Sequence, residues 1–345
     1  MSKDFAFESM RVRMAERRLL SQSTMDRLVQ SQDLSEALQI LRETRYSDAF
    51  GKVDHPEQFE EALSLEMDRQ AQFIHDLAKE EGTIHLLFLK YDYHNLKVLI
   101  KEMPDLSENG TGKAELSDKP EEAEENPLMF RFTELFLPEV KGWIQQPASN
   151  PRETIQQKAI FEARESWLAH KDSRELDFIL DRAYFEELRQ VAGESKSAFF
   201  EDYARTLTDY TNLLSFFRAR KQGQSRDFLA RVFMEKASLS SEEAGLALHA
   251  SDEEVAVWIK DSKLPEFLKE QALECLKTSR ITEFEKQKDE YAYHKAVKGN
   301  EQLSGPEVLF GYMVRVETEI QNLRIILSGK RAELEAETLK ERMRR

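Results

Sequence analysis

The stretch Gly110-Thr-Gly-Lys113-Ala114 carries glycines and a lysine of the kind with which a backbone loop cradles a phosphate. It lacks the full loop spacing, a Ser or Thr after Lys113, and the strand and apolar helix that would flank it, so nucleotide chemistry is not expected there. His85 and His94 stand nine residues apart and would not project from one place on a helix, and there is no H-E-x-x-H or comparable cluster to hold a metal. Acidic pairs such as Glu60-Glu61, Glu186-Glu187 and Glu242-Glu243 read as solvated helix faces, with no pair set apart as general acid and base. Cys275 is the only cysteine, which excludes an intrachain disulfide and a multi-cysteine metal cluster and fits a reducing compartment. Asn109-Gly-Thr111 matches a glycosylation acceptor, which has no meaning without a secretory leader. The expectation is a chain with no catalytic residue, no cofactor and no metal, whose work is to bind other proteins.

A polar motif of a different kind recurs. The sequence has three Asn-Leu dipeptides, each with an acid three residues before the Asn: Asp92, Asn95 and Leu96; Asp209, Asn212 and Leu213; Glu319, Asn322 and Leu323. The Asn residues are 117 and 110 apart, close to one third of the 345 residues, as in a triplicated chain. At each copy apolar residues lie two before, one after and five after the Asn: Tyr93, Leu96, Ile100; Tyr210, Leu213, Phe217; Ile320, Leu323, Leu327. Those steps of three and four place them on one face of a helix. An Asn inside such a face costs a few tenths of a kcal/mol against Ala and must find hydrogen-bond partners if buried, so it is expected to bond the backbone of a neighbouring helix, with the acids beside it serving Arg or Lys.

The elements that must hold these motifs can be traced outward. Basic residues follow each copy, at Lys101, at Arg218, Arg220 and Lys221, and at Lys330, where they complement the negative end of a helix, and Gly329 has the place of a left-handed cap. Upstream, Asp33-Leu-Ser-Glu36, Asp172-Ser-Arg-Glu175 and Ser251-Asp-Glu-Glu254 each place a capping residue three before a Glu, and each leads into an apolar pair, Ile40-Leu41, Ile179-Leu180 and Trp258-Ile259. The distance from box to Asn varies, being 62, 40 and 71 residues, so the copies differ by insertions. Between the first two copies, residues 104–127 are rich in acid, Gly and Ser and read as a mobile surface loop. Gln146 to Pro151 and Gly299 to Pro306 should break helices. The division expected is a first helical repeat at 1–103, the acidic loop at 104–127, a second repeat at 128–225 and a third at 226–345.

Composition sets the class. Gly (12) and Pro (9) are scarce and 33% of residues are charged, which favours long amphipathic helices over sandwiches or barrels, an all-α chain. Fifty Lys and Arg against 65 Asp and Glu leave a net charge of −15, which repels nucleic-acid phosphates and anionic lipid headgroups. The N-terminal MSKDFAFESMRVRMAERR has no apolar core of a signal peptide, and the longest apolar runs, such as Leu86 to Leu89, are too short to span a bilayer.

The three motif segments, KYDYHNLKVLIK (90–101), LTDYTNLLSFFRARK (207–221) and VETEIQNLRIILSGK (316–330), resemble the C subunits of the V-type (V/A-type) ATP synthases, counterparts of the d subunits of vacuolar ATPases, over nearly the whole chain. The resemblance implies a pseudo-threefold funnel of three similar helical subdomains. It implies a noncatalytic rotor subunit, a socket between the central-stalk subunits D and F and the membrane proteolipid ring, cytoplasmic and peripheral at the membrane, transmitting torque for ion transport. The acidic segment 104–127 is longer and more polar than the family leads one to expect after the first motif. The other reading of the same residues is a free-standing helical scaffold that docks soluble peptides, and the surface residues that meet a partner are not assigned by sequence.

Overall fold

The computed structural model describes residues 5–53, 55–78, 81–101 and 129–344. The acidic segment 104–127, and with it Gly110 to Ala114, lies outside the described residues. Among the described residues every regular element is a helix.

The chain divides into two units, one made of residues 1–84 and 289–345 and the other of residues 85–288. The first begins with α1 (Ala6–Glu16), α2 (Gln22–Gln30), α3 (Leu34–Arg42), α4 (Ser47–Phe50), α5 (Phe59–Leu77) and the first turn of α6 (Glu81–Lys101). The second takes the rest of α6, then α7 (Leu137–Gln145), α8 (Ile155–His170), α9 (Ser173–Glu194), α10 (Ala198–Lys221), α11 (Arg226–Val232), α12 (Ser241–Ala247), α13 (Asp252–Asp261), α14 (Glu266–Thr278) and the start of α15 (Ile281–Asn300). The chain returns to the first unit for the end of α15, α16 (Pro306–Arg331) and α17 (Ala336–Arg342).

Helix boundaries follow local chemistry. Asp33, Ser251 and Asp172 all cap helices, and the three are not equal. Ser251 and Glu254 form the full reciprocal box; Glu36 reaches past its cap to the amide of Gln32 at 2.6 Å; Asp172 accepts from Arg174, while Glu175 turns to Arg231 at 2.7 Å. A further full box, Thr154 with Gln157, opens α8. Gln146 to Pro151 does separate α7 from α8, and within Gly299 to Pro306 residues 301–305 separate α15 from α16, which Pro306 opens, because proline lacks the N–H a helix interior needs but a first turn does not. Gly329 is not a cap. The helix α16 runs on to Arg331, and the missing side chain instead admits Leu339 of α17, whose Cγ would lie 3.4 Å from a methyl group placed at Gly329.

Each unit has its own core. In the first, Tyr46, Phe50, Phe59 and Tyr312 are buried, and α16 packs along α5 and α1. A methyl group at Gly311 of α16 would lie 2.5 Å from Cβ and 2.9 Å from the amide nitrogen of Asn300, so the glycine sets the closeness of α15 and α16. In the second, Tyr210 and Phe217 of α10 close on Phe284 at 5.4 and 5.6 Å between ring centres, and Phe216 on Trp258 at 4.9 Å.

Candidate functional site

The three Asn residues lie on the long helices α6, α10 and α16, and their amides are used in one way. Asn95 Nδ2 donates to the carbonyl of Phe130 at 2.8 Å while its Oδ1 accepts from the Phe130 N–H at 2.9 Å. Asn212 does the same to Met234, at 2.9 and 2.7 Å, and Asn322 to Arg344, at 2.9 and 2.8 Å. A primary amide presents one of its two N–H donors beside its carbonyl acceptor, so it pairs with a single residue's N–H and C=O as a strand neighbour would; the second N–H of Asn95 donates to the Thr133 hydroxyl at 3.2 Å. The partner is a non-helical segment in every copy, rather than the neighbouring helix that the sequence suggests. A stretch without helical bonds must place its backbone polar groups somewhere, and the Asn receives those of one residue in it. Leu96, Leu213 and Leu323, next to each Asn, are fully buried, as are most of their companions two before and five after.

The acids act one helical turn earlier. Asp92 Oδ1 accepts from the amide of Glu134 at 2.9 Å, and Asp209 Oδ1 from that of Ser238 at 2.8 Å, with the Ser238 hydroxyl on Oδ2 at 2.6 Å. In both cases the amide is four residues beyond the one held by the Asn. Among the described residues the expected Arg or Lys partner is present only for Glu319, which accepts from the amide of Leu20 at 2.6 Å and from the Tyr46 hydroxyl at 2.9 Å and pairs with Arg45 at 3.0 Å. The bases that follow also reach across. Arg220, eight residues after Asn212, donates to the carbonyls of Leu248 and Ala250 at 2.9 and 2.7 Å, at the end of α12. Lys330, eight residues after Asn322, donates to Val29 at 2.7 Å and to Ser31, at the end of α2. Each cation therefore caps a different helix from its own.

Burial leaves its mark on these acids. Asp92 is fully buried with one oxygen unpartnered in the described structure, and burial pushes its carboxyl up from 3.8 to about 7 against the opposing help of the Glu134 amide. Burial raises Asp209 too, in spite of its bonds from Ser238. Nearby, His85 Nε2 meets Glu187 Oε1 at 2.9 Å and Tyr93 donates to Glu187 Oε2 at 2.7 Å; that contact with Glu187 raises the histidine above its ordinary value. A carboxyl raised in the folded state binds its proton more tightly there than in the unfolded chain. Stability then falls as pH rises from the unfolded value of 3.8 to about 7 and levels off above. Asp92→Asn keeps the acceptor for Glu134 and removes the titration, so denaturant unfolding between pH 4 and 8 should lose about 3–4 kcal/mol of its downward slope. An unchanged slope would mean that Asp92 ionises without cost.

The other chemically capable residues do not converge. His85 serves Glu187, whereas the His94 ring stands edge-on to Phe130 at 4.9 Å. Cys275 is buried in α14, its thiol pushed up to about 11 by burial. Among the described residues no three His, Cys, Asp or Glu side chains are placed to hold a metal ion, and no helix is long and apolar enough to cross a membrane.

A chain of helices tied by its own repeated acid and Asn residues can be compared with known proteins. Residues 10–342 match the family described as ATP synthase (C/AC39) subunit. The chain belongs to that family. It is 24% identical over 337 residues to the V-type sodium ATPase C subunit of Enterococcus hirae, covering 96% of each chain. It is also 23% identical over 355 residues to the A-type ATP synthase C subunit of Methanocaldococcus jannaschii, covering 97% of this chain and 85% of that protein. As a member of the C/AC39 family it is an accessory, noncatalytic part of its complex.

One feature of this C/AC39 chain escapes sequence reasoning. In the first unit, Arg45 lies between Glu66 and Glu319, at 3.7 and 3.0 Å, with all three side chains less than a tenth exposed. Its guanidinium stands over the Tyr46 ring at 5.1 Å. Gln70 donates to Glu66 at 2.7 Å and accepts from the Tyr312 hydroxyl at 2.6 Å, extending the network to α16. Burial raises both carboxyls. The one signal in the sequence is that Glu66 and Gln70 occupy positions in step with Ala62, Leu63, Ala71 and Ile74, on the apolar face of α5.

Proposed function

We propose that this chain is a rotor subunit of a V/A-type ATPase or ATP synthase, a socket that joins the central-stalk subunits D and F to the membrane proteolipid ring and carries torque between them. The observation that supports this most is the match to the family over residues 10–342, the length of the chain rather than one repeat of it. A torque-bearing part needs stiffness and needs no reactive site. The acid and Asn side chains supply stiffness by fixing non-helical segments onto long helices, and the bases of α10 and α16 tie in the ends of other helices. On this reading the chain is three helical subdomains, 1–103, 128–225 and 226–345, in a pseudo-threefold funnel. Asp92, Asn95, Leu96, Asp209, Asn212, Leu213, Glu319, Asn322 and Leu323 are its structural repeat, and the protein is peripheral at the membrane on the cytoplasmic side.

The test is cofractionation. Tagged full-length chain should sediment with membranes of cells that make the proteolipid ring, remain in the supernatant when the ring is deleted, and bring down the stalk subunits D and F from detergent extracts. Tight binding to protein-free anionic liposomes, or recovery without D, F and ring, would overturn the reading.

A further inference from the structure

Eight large apolar side chains stand well exposed among the described residues, and four of them gather in one place. Phe7, Met10 and Met14 are 55, 55 and 65% exposed on α1, at steps of three and four that align them on one face. The fourth, Leu303, is fully exposed in the loop between α15 and α16. That loop is held against α1: Arg13 donates to the carbonyls of Asn300 and, at 2.8 Å, Gln302, and the Gly305 amide donates to Ser9 at 3.3 Å. The other face of α1 is satisfied within the unit, through buried Ser9 and Val12 and through α16. The apolar stripe is thus turned outward from an anchored helix.

Charge says what fits it. Arg11 lies on the same face, Arg17 and Arg18 lie in the exposed turn that follows α1, and none of the three is ion-paired with a described acid. Arg11 is instead stacked between the rings of Phe7 and Phe73, at 5.9 and 5.6 Å, which fixes a cation within the apolar stripe. Three arginines on and just beyond a face with three apolar side chains, in a chain whose net charge is −15, are complementary to an acidic surface. The spacing at i, i+3, i+4 and i+7 is the ridge of a helix that packs on another helix, and two methionines suit a contact that must adapt. The overall negative charge opposes both a second copy and an anionic bilayer.

We propose that the outer face of α1, with Leu303 beside it, docks an amphipathic helix of a partner protein that carries carboxylates flanking an apolar stripe. The inference stands apart from the rotor reading: a partner outside any ATPase would remove that reading and leave this one. The experiment places a photoreactive benzoylphenylalanine at Met10, Met14 or Leu303 of the full chain in intact cells and sequences the adducts. Adducts from all three positions should fall on one helical segment of another protein with Asp or Glu within a turn of the attachment point. Arg17→Glu with Arg18→Glu should lower their yield at least tenfold, with no change in melting of the purified chain, and reversing the partner's acids to Lys should restore it. Adducts to lipid, to a second copy or to a basic segment, or no adduct at all, would overturn the proposal.

Discussion

Replacing Arg45 with methionine is expected to cost about 3–5 kcal/mol of folding stability at pH 8, because a buried pair broken on one side leaves an uncompensated charge in the interior. Here it leaves two, since the same guanidinium serves Glu66 and Glu319. Arg69 is no substitute: of the two carboxylates it reaches Glu66 alone, at 3.5 Å, from a half-exposed side chain that Asp48 also holds at 3.4 Å. The deficit should shrink with acid. Burial already holds both carboxyls above their ordinary value, and removing the cation raises them further. Ionising a raised carboxyl costs the folded state more as pH climbs from the unfolded pKa through the folded one, so the variant should lose least near pH 5 and most near pH 8. Adding Glu66→Gln and Glu319→Gln to Arg45→Met should recover most of the loss, as uncharged replacements of whole buried ion groups are often neutral. Denaturant unfolding of the three variants across that range is the measurement. A loss below about 1 kcal/mol, flat with pH, would place the cluster in contact with water, where such pairs contribute little.

The legible parts of this fold are those written in one segment. Helix type, the breaks at Pro147 and Pro306 and the buried stripe around each Asn all follow from spacing and from proline's missing donor. The Asn positions are legible because the pattern of an acid, two residues, then Asn-Leu occurs three times in the sequence. Their partners were not, for a physical reason: Phe130 to Glu134 reads Phe-Arg-Phe-Thr-Glu and Met234 to Ser238 reads Met-Glu-Lys-Ala-Ser, with nothing shared. The clasp takes hold of N–H and C=O groups, which every such residue has, so it leaves no trace in side-chain identity. Arg220 and Lys330 read as complements to the dipoles of their own helices, yet their heads lie on the carbonyls of α12 and α2. Long side chains choose partners by tertiary proximity, and a sequence does not print that. The pairing of Arg45 with Glu319 spans most of the chain and is of the same kind.

Substituting Leu for each Asn in turn should rank the three copies, because Leu keeps the branched shape and strands one backbone donor and one acceptor. A buried group left unsatisfied costs about 1–3 kcal/mol, so the full penalty at one clasp is about 2–6 kcal/mol. Whether it is incurred depends on whether water can replace the amide. Met234 is buried, Asn212 is wholly inside, and Asp209 fixes the same segment four residues on, so the segment cannot peel away to hydrate itself. Asn212→Leu should therefore carry the largest loss. Phe130 is partly exposed, and Asn95→Leu should fall below it, at about 1–3 kcal/mol. Arg344 follows the short α17 and its side chain is half exposed, so Asn322→Leu can release residues 343–344 to water and should cost least. Hydrogen exchange separates this from a uniform loss of packing: the Met234 amide in Asn212→Leu should exchange only by global unfolding at its new, lower free energy, while the Arg344 amide in Asn322→Leu should exchange as in an open chain with the rest of the protein unchanged. Equal losses at the three positions would mean that the asparagines stabilise their own helices and that the clasps contribute nothing.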